Sequence, residues 1–460
     1  MRGVLSHAGY VPFRRLDRST IAAVAGGGGG KGERSVASYD EDTTTMGVAA
    51  ARLALRSAPG STPAALYFAT TTPAYLDKTN ATAIHAALRL PADAVAADTG
   101  GAVRSAVATL RAALGSDEAA LVVGADLRTG LPGSGDEASG GDGASAILVG
   151  DGPVIAEYLG TGSATAEFLD RWRTPGDLRS KVWEERFGEG RYVTLGEQAW
   201  AAALKQAGLA ADDVARLIVT GSHARAVGDL RSRLSTPAVE AVADVTDGVG
   251  WTGAAHPGLL LSRALEESGP GEVIALVSLA DGADVLLFRT TAAITGFTPA
   301  RPIAEQILTK GPVSYGKFLA WRGILPVEPP RRPEPARVSA SAAGRSTEWK
   351  FGFVGSRAVD TGEITMPPAV PGADGELEPA AMADVAGTVA TFTVDRLAYS
   401  ASPPVVFAVI DFDGGGRLPV ELTDVDADGV AIGDRVEPTF RRLSTADGIH
   451  NYFWKVRPIR

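Results

Sequence analysis

Five histidines, at positions 7, 85, 223, 256 and 450, hold the near-neutral acid–base chemistry open to this chain, and there is no cysteine beside them. The missing thiol removes disulfides, thiolate metal sites and cysteine nucleophiles together. No two histidines stand at the i, i+3 or i+4 spacing of a helical metal site, so none is expected. Asp40, Glu41 and Asp42 offer oxygens for a hard cation, yet three adjacent carboxylates read first as a solvated acidic loop. Gly26 to Gly30 followed by Lys31 suggests a phosphate loop, but Gly32 stands where Walker A needs Ser or Thr, and a flexible loop is expected. Between Phe168 and Pro175, Arg171 and Arg173 can either meet a ligand phosphate or pin a loop.

The elements that position these residues come from a 460-residue chain, long enough for two or three domains. An apolar share of 45% against 21% charged residues permits large cores. A net charge of −10, without a Lys/Arg stripe, argues against a nucleic-acid partner. No signal-like run opens the chain and no apolar stretch nears the ~20 residues of a membrane span, so a soluble cytoplasmic protein is expected.

Thr43 to Arg56 predicts an amphipathic helix capped near Asp42, followed by the strand Ala65 to Ala69. Thr194 to Ala207 repeats the pattern and leads to the strand Leu217 to Thr220. Gly100 and Gly101 open a helix to Leu114, then the strand Ala120 to Val123; Gly253 opens one to Ser268, then Val273 to Val277. Asp142-Gly143-Ala144 precedes the strand to Val149, and Asp281-Gly282-Ala283 the strand to Phe288. Repeated order at this scale predicts two similar α/β halves, 1–155 and 156–323. Residues 324–348 hold five prolines among arginines and read as an extended linker. In 349–460, short strands with Gly turns predict a small all-β barrel.

Gly9-Tyr10-Val11-Pro12, Asp40-Glu41-Asp42-Thr43 and Asp142-Gly143-Ala144 resemble 3-hydroxy-3-methylglutaryl-CoA synthases of the archaeal and bacterial type. The tail resembles the zinc-ribbon plus OB-fold proteins called DUF35, which partner such enzymes. The resemblance implies a duplicated thiolase fold, an αβαβα sandwich, followed by an OB-type barrel. It also implies acyl-CoA or acyl-carrier thioesters as ligands, with CoA phosphate for Arg171 and Arg173, and assembly with a thiolase-like partner.

The resemblance assigns the acyl-accepting cysteine to the start of the helix after Gly100-Gly101, where Val103 stands, with Ser105 two residues on. It places a catalytic histidine near His223, whose register can differ by two residues, and an asparagine where Trp251 stands; His256 follows. In the tail, Ala358 and Thr361 occupy two ribbon cysteine positions, and the second knuckle falls near Val370 to Asp374 without thiols. No zinc and no other cofactor is expected. The residues thus imply a non-catalytic subunit of a hetero-oligomer with an intact thiolase-like enzyme. The alternative is a cysteine-independent enzyme for aldol or retro-aldol cleavage or C-acyl transfer, with His223 and His256 as candidates. Trp349, Phe351 and Phe353 are expected to pack the barrel onto the body.

Overall fold

A computed structural model describes residues 1–369 and 375–460. The first half forms a five-stranded sheet from β1 (Arg2–Tyr10), β2 (Ala65–Ala69), β3 (Val95–Asp98), β4 (Ala120–Asp126) and β5 (Gly143–Asp151), in the order β1-β5-β4-β2-β3. The second uses β6 (Ala156–Ala164), β7 (Arg216–Gly221), β8 (Glu240–Ala241), β9 (Val273–Leu279) and β10 (Ala283–Thr290), in the order β6-β10-β9-β7-β8. The two orders are the same permutation, which is the duplication expected from the repeated units. The sheets join edge to edge where Gly3 and Val4 pair with Glu157 and Ala156. A side chain at Gly3 would place its Cβ 2.0 Å from the Ala156 carbonyl oxygen, so the junction requires glycine.

Five layers follow from which face each residue buries. Helices α1 (Thr43–Arg56) and α2 (Ala81–Ala87) lay Met46, Leu53 and Ile84 on Leu66, Phe68 and Val123 of the first sheet. Between the sheets run α3 (Arg104–Leu114) and a later helix (His256–Glu267), with Leu110 and Leu260 packed among Val122, Ile147, Ile218 and Ile274. Outside the second sheet, α4 (Glu185–Ala207) and α5 (Ala224–Leu234) set Trp200 and Leu230 on Leu217, Val219 and Val277. The later central helix is α6. Along β7 the period of two is visible: Ile218 faces the central layer while Leu217 and Val219 face outward. Both sheets are covered on both faces, which explains their runs of Val, Ile and Leu.

The tail closes a barrel from β11 (Gly387–Asp395), β12 (Val405–Phe412), β13 (Arg417–Leu422), β14 (Arg435–Ala446) and β15 (Ile449–Pro458). The proline-rich stretch before it is not extended throughout; Ala340–Arg345 and Thr347–Lys350 are short helices. The three aromatics fold onto the barrel rather than onto the body. Phe353 is fully buried against Phe412 and Trp454, Trp349 stacks on Phe353 with centroids 5.4 Å apart, and Phe351 meets Phe440.

The acidic run, expected in solvent, is instead the body's anchor for the barrel. Asp40, Glu41 and Asp42 are buried at the head of α1, where Asp42 caps the helix by accepting from the Thr45 amide at 2.9 Å. Arg441 on β14 pairs with Glu41 and with Asp424 at 2.6 Å, and Lys455 on β15 pairs with Asp40 at 3.0 Å and Glu421 at 2.7 Å. The Tyr452 hydroxyl donates to Asp42 at 2.7 Å, and the Tyr10 hydroxyl donates to Glu41. Burial alone would raise Asp40, but Lys455 and Arg441 outweigh it and hold the carboxyl at about 2. Glu41 must share Arg441 with Asp424, and burial pushes it above the usual carboxylate range. Burial works against the charge on Arg441 too, yet Asp424 and Glu41 raise its pKa well above the ordinary value. Removing one partner from such a group strands buried charge, so Arg441→Ala should cost about 3–5 kcal/mol in urea unfolding. A loss below about 1 kcal/mol, as for an exposed pair, would show that the cluster does not fasten the barrel.

Candidate functional site

Val103, His223 and His256 lie at the starts of helices, and Trp251 lies in the turn before one of them. Val103 is half-buried at the N-terminal cap position of α3. The next residue, Arg104, rivets this helix start to the second half. Its Nε donates to Asp284 at 2.7 Å, and its terminal nitrogens reach the Asp281 carbonyl and the Thr165 hydroxyl, each at 2.9 Å. A cation at a helix N-terminus opposes the macrodipole, and Asp284 offsets it.

His223 caps α5. Its Nδ1 accepts from the Ala226 amide at 3.2 Å, so its proton lies on Nε2, which donates to the Glu185 carbonyl at 2.8 Å. Both ring nitrogens are engaged by backbone. Gly221, two residues earlier, ends β7. Beside His223 lie two groups that sequence reasoning passed over, Tyr192 and Asp170. The Tyr192 ring is 6.0 Å from the imidazole, and Asp170 is 3% exposed with Oδ1 lacking a hydrogen-bond partner. Burial pushes the Asp170 carboxyl upward against the opposing pull of His223 and Arg171. Burial, reinforced by Asp170 and Asp281, pushes the Tyr192 hydroxyl upward as well.

Trp251 lies in the turn before α6, with its backbone bonded to Ser139 and Gly141 and its ring 4.5 Å beneath the Arg128 guanidinium. His256 opens α6, fully buried. Its Nδ1 accepts from the Thr252 amide at 3.2 Å and faces the Thr252 hydroxyl at 3.1 Å, while Nε2 meets Asp244 at 3.2 Å. Burial would raise Asp244, but the hydrogen bond and charge of His256 and two backbone amides hold it below the usual range. His7 is buried against Phe297 with neither nitrogen bonded, and burial lowers it to about 3, so it is neutral packing.

A buried carboxylate that the sequence reading missed holds the Trp251 turn to the first half. Asp126, at the end of β4, accepts from the Thr71 amide at 2.7 Å, the Thr70 and Thr71 hydroxyls at 3.1 and 3.0 Å, and the Ala254 amide at 2.7 Å. Gly253, at φ +57°, has no room for a Cβ, which would fall 2.1 Å from the Asp126 carboxylate. Ala69, Ala106 and Ala254 meet beneath this turn and bring it to α3. The signal was available: Thr70-Thr71-Thr72 and Asp126 end two parallel neighbouring strands, where α/β sites collect.

Arg171 and Arg173 both touch the first half. Arg171 pairs with Asp136, and Arg173 donates to the Thr71 carbonyl at 2.8 Å. In the tail, Ala358 and Thr361 flank a turn closed by Gly362 N–H to the Ala358 carbonyl at 2.8 Å. Ala358 has no ligating atom and Thr361 is an exposed turn residue, so the described part of this segment does not fit a zinc ion. The proposed second knuckle, Val370 to Asp374, lies outside the described residues. Among the described residues, no cluster of three metal-ligating side chains occurs and no helix is long and apolar enough to cross a membrane. Asp126→Ala should unfold about 3 kcal/mol more easily in urea, since it strands two amides and leaves Arg128 without its buried counter-charge. An unchanged midpoint would show that the turn is held by other contacts.

Comparison with known proteins agrees with the fold. A family model for the C-terminal OB-fold domain of ChsH2 matches residues 380–441. The hydroxymethylglutaryl-CoA synthase of Methanopyrus kandleri is 29% identical over 70% of this chain and 97% of its own length. That of Methanothermobacter thermautotrophicus is 28% identical over 71% and 99%. Among solved structures, MvaS in complex with 3-hydroxy-3-methylglutaryl coenzyme A superposes with a TM-score of 0.59 at 21% identity, covering 73% of this chain and 94% of that one. The 3-oxoacyl-(acyl carrier protein) synthase III of Pseudomonas aeruginosa superposes with a TM-score of 0.55 at 21% identity, covering 63% and 98%. The chain thus has a thiolase-fold body similar to the hydroxymethylglutaryl-CoA synthases and carries a C-terminal OB-fold domain.

Proposed function

We propose that this chain is a thioester-binding, non-catalytic subunit that assembles with a catalytically intact thiolase-like enzyme acting on acyl-CoA or acyl-carrier thioesters. The carrying observation is the nucleophile position. The chain has no cysteine, and α3 begins with Val103 beside an arginine already paired with Asp284. A covalent acyl intermediate needs a side chain that can attack, and no activated one stands there. Support for the ligand class comes from the synthase relatives and from the 3-hydroxy-3-methylglutaryl coenzyme A held by one structural neighbour. The barrel, fixed to α1, would form part of the complex surface and of the CoA site.

A second reading, cysteine-independent aldol or retro-aldol cleavage, is favoured by one group: the buried Asp170 with a bare Oδ1 beside Tyr192 and His223. Such a step needs a base and an acid, not a nucleophile.

Co-expression with a thiolase-like protein encoded beside it should give a stable heteromeric complex, and turnover of acyl-CoA should require that partner. Intact-mass spectrometry after incubation with an acyl-CoA should show no acyl adduct on this chain. Turnover of a 3-hydroxyacyl-CoA by the purified chain alone, lost in Tyr192→Phe, would displace this reading in favour of the second.

A further inference from the structure

The Trp251 turn carries more positive charge than the fold uses. Arg128 lies 8% exposed with its guanidinium on the Trp251 ring, and its stem runs between two bare glycines. A Cβ on Gly140 would come within 2.8 Å of Arg128 Cβ, and one on Gly253 within 3.1 Å of its Cδ. The chain therefore keeps both walls clear for this side chain. Arg128 donates to the Thr71 hydroxyl at 3.2 Å, and Arg173 donates to the carbonyl of the same threonine at 2.8 Å. Two guanidiniums thus meet at one residue. Arg171 stands nearby, and burial together with the charges of Arg171 and Arg173 pushes Arg128 downward while Asp126 opposes them.

The available carboxylates do not match this charge. Asp136 is taken by Arg171. Asp126, 3.8 Å away, is the counter-charge of Arg128, so two carboxylates face three guanidiniums. Among the described residues, Arg173 has no carboxylate within ion-pair distance, although it is half-buried. Holding guanidiniums close together in a partly dry place is unfavourable unless an anion joins them. Guanidiniums suit a carboxylate or phosphate, which accepts forked hydrogen bonds from arginine.

We infer that Arg128 and Arg173, beside Trp251, form a receptor for an oxyanion of the thioester ligand, either a carboxylate on the acyl chain or a phosphate of the carrier. The inference rests on the thioester-binding reading above and adds a recognition element to it. Trp251 has the shape of the site's floor: it orients Arg128 by stacking and excludes water from one side of the anion.

Calorimetric titration can separate the sources. Succinyl-CoA and butyryl-CoA differ in a terminal carboxylate, and CoA and 3′-dephospho-CoA differ in a phosphate. In one of these comparisons, the ligand with the extra anion should bind at least about tenfold more tightly. That preference should collapse in Arg173→Gln and in Arg128→Gln. Arg173→Gln is the safer variant, because Arg128 also packs on Trp251; melting temperatures of both ligand-free variants show whether the fold survives. A preference in the succinyl comparison identifies an acidic acyl group, and one in the dephospho comparison identifies the carrier phosphate. Binding of all four ligands without either preference, or a preference unchanged in both variants, overturns the receptor while leaving the thioester reading intact. No binding by any of the four overturns both.

Discussion

Three carboxylates at the head of one helix cannot be buried without cations, and this chain brings those cations from two strands about 400 residues further along. The acidic loop from Asp40 to Asp42 closes the N-terminal end of α1, and α1 covers one face of the first sheet. Arg441, Lys455 and Tyr452 reach it from two adjacent strands of the barrel. Each charge is too costly to leave alone in a dry interior, and each is neutralised only when the barrel sits in this place. The cluster specifies position as much as stability: shifting β14 by one residue would turn Arg441 away from Glu41. The barrel core then runs on into the outer helix layer, so apolar packing follows the geometry that the ions impose.

The same logic of remote partners explains what could and could not be read from the residues. The strand Ala65–Ala69 was legible to the residue and the small barrel of the tail was legible as a class, because apolar runs and Gly turns are local signals. The helix over Thr43 to Arg56 was equally plain from its cap and its periodicity. The duplication was legible from matched order and appears as matched strand permutation. The fate of Asp40 to Asp42 was not legible, because nothing nearby in sequence announces Arg441 or Lys455. For His223, the ring's partners are an amide in its own helix and a carbonyl of α4, and the second cannot be inferred from spacing. The aromatics Trp349, Phe351 and Phe353 were rightly read as packing residues, but their surface is the barrel rather than the body.

At the site, Asp126 ties the first half to the turn before α6, and the alanines beneath that turn bring it to α3. On that scaffold stand an apolar side chain and a paired arginine at the helix start, an indole under a guanidinium at the turn, and a histidine engaged by backbone at both nitrogens. These groups sit at strand ends, where ligands meet α/β sheets.

The central claim is that body and barrel are one structural unit, locked by the buried ions at the head of α1. Differential scanning calorimetry of the full chain tests it most directly. The account predicts a single cooperative transition whose calorimetric and van't Hoff enthalpies agree. Two separable transitions, with the barrel melting apart from the body, would contradict it.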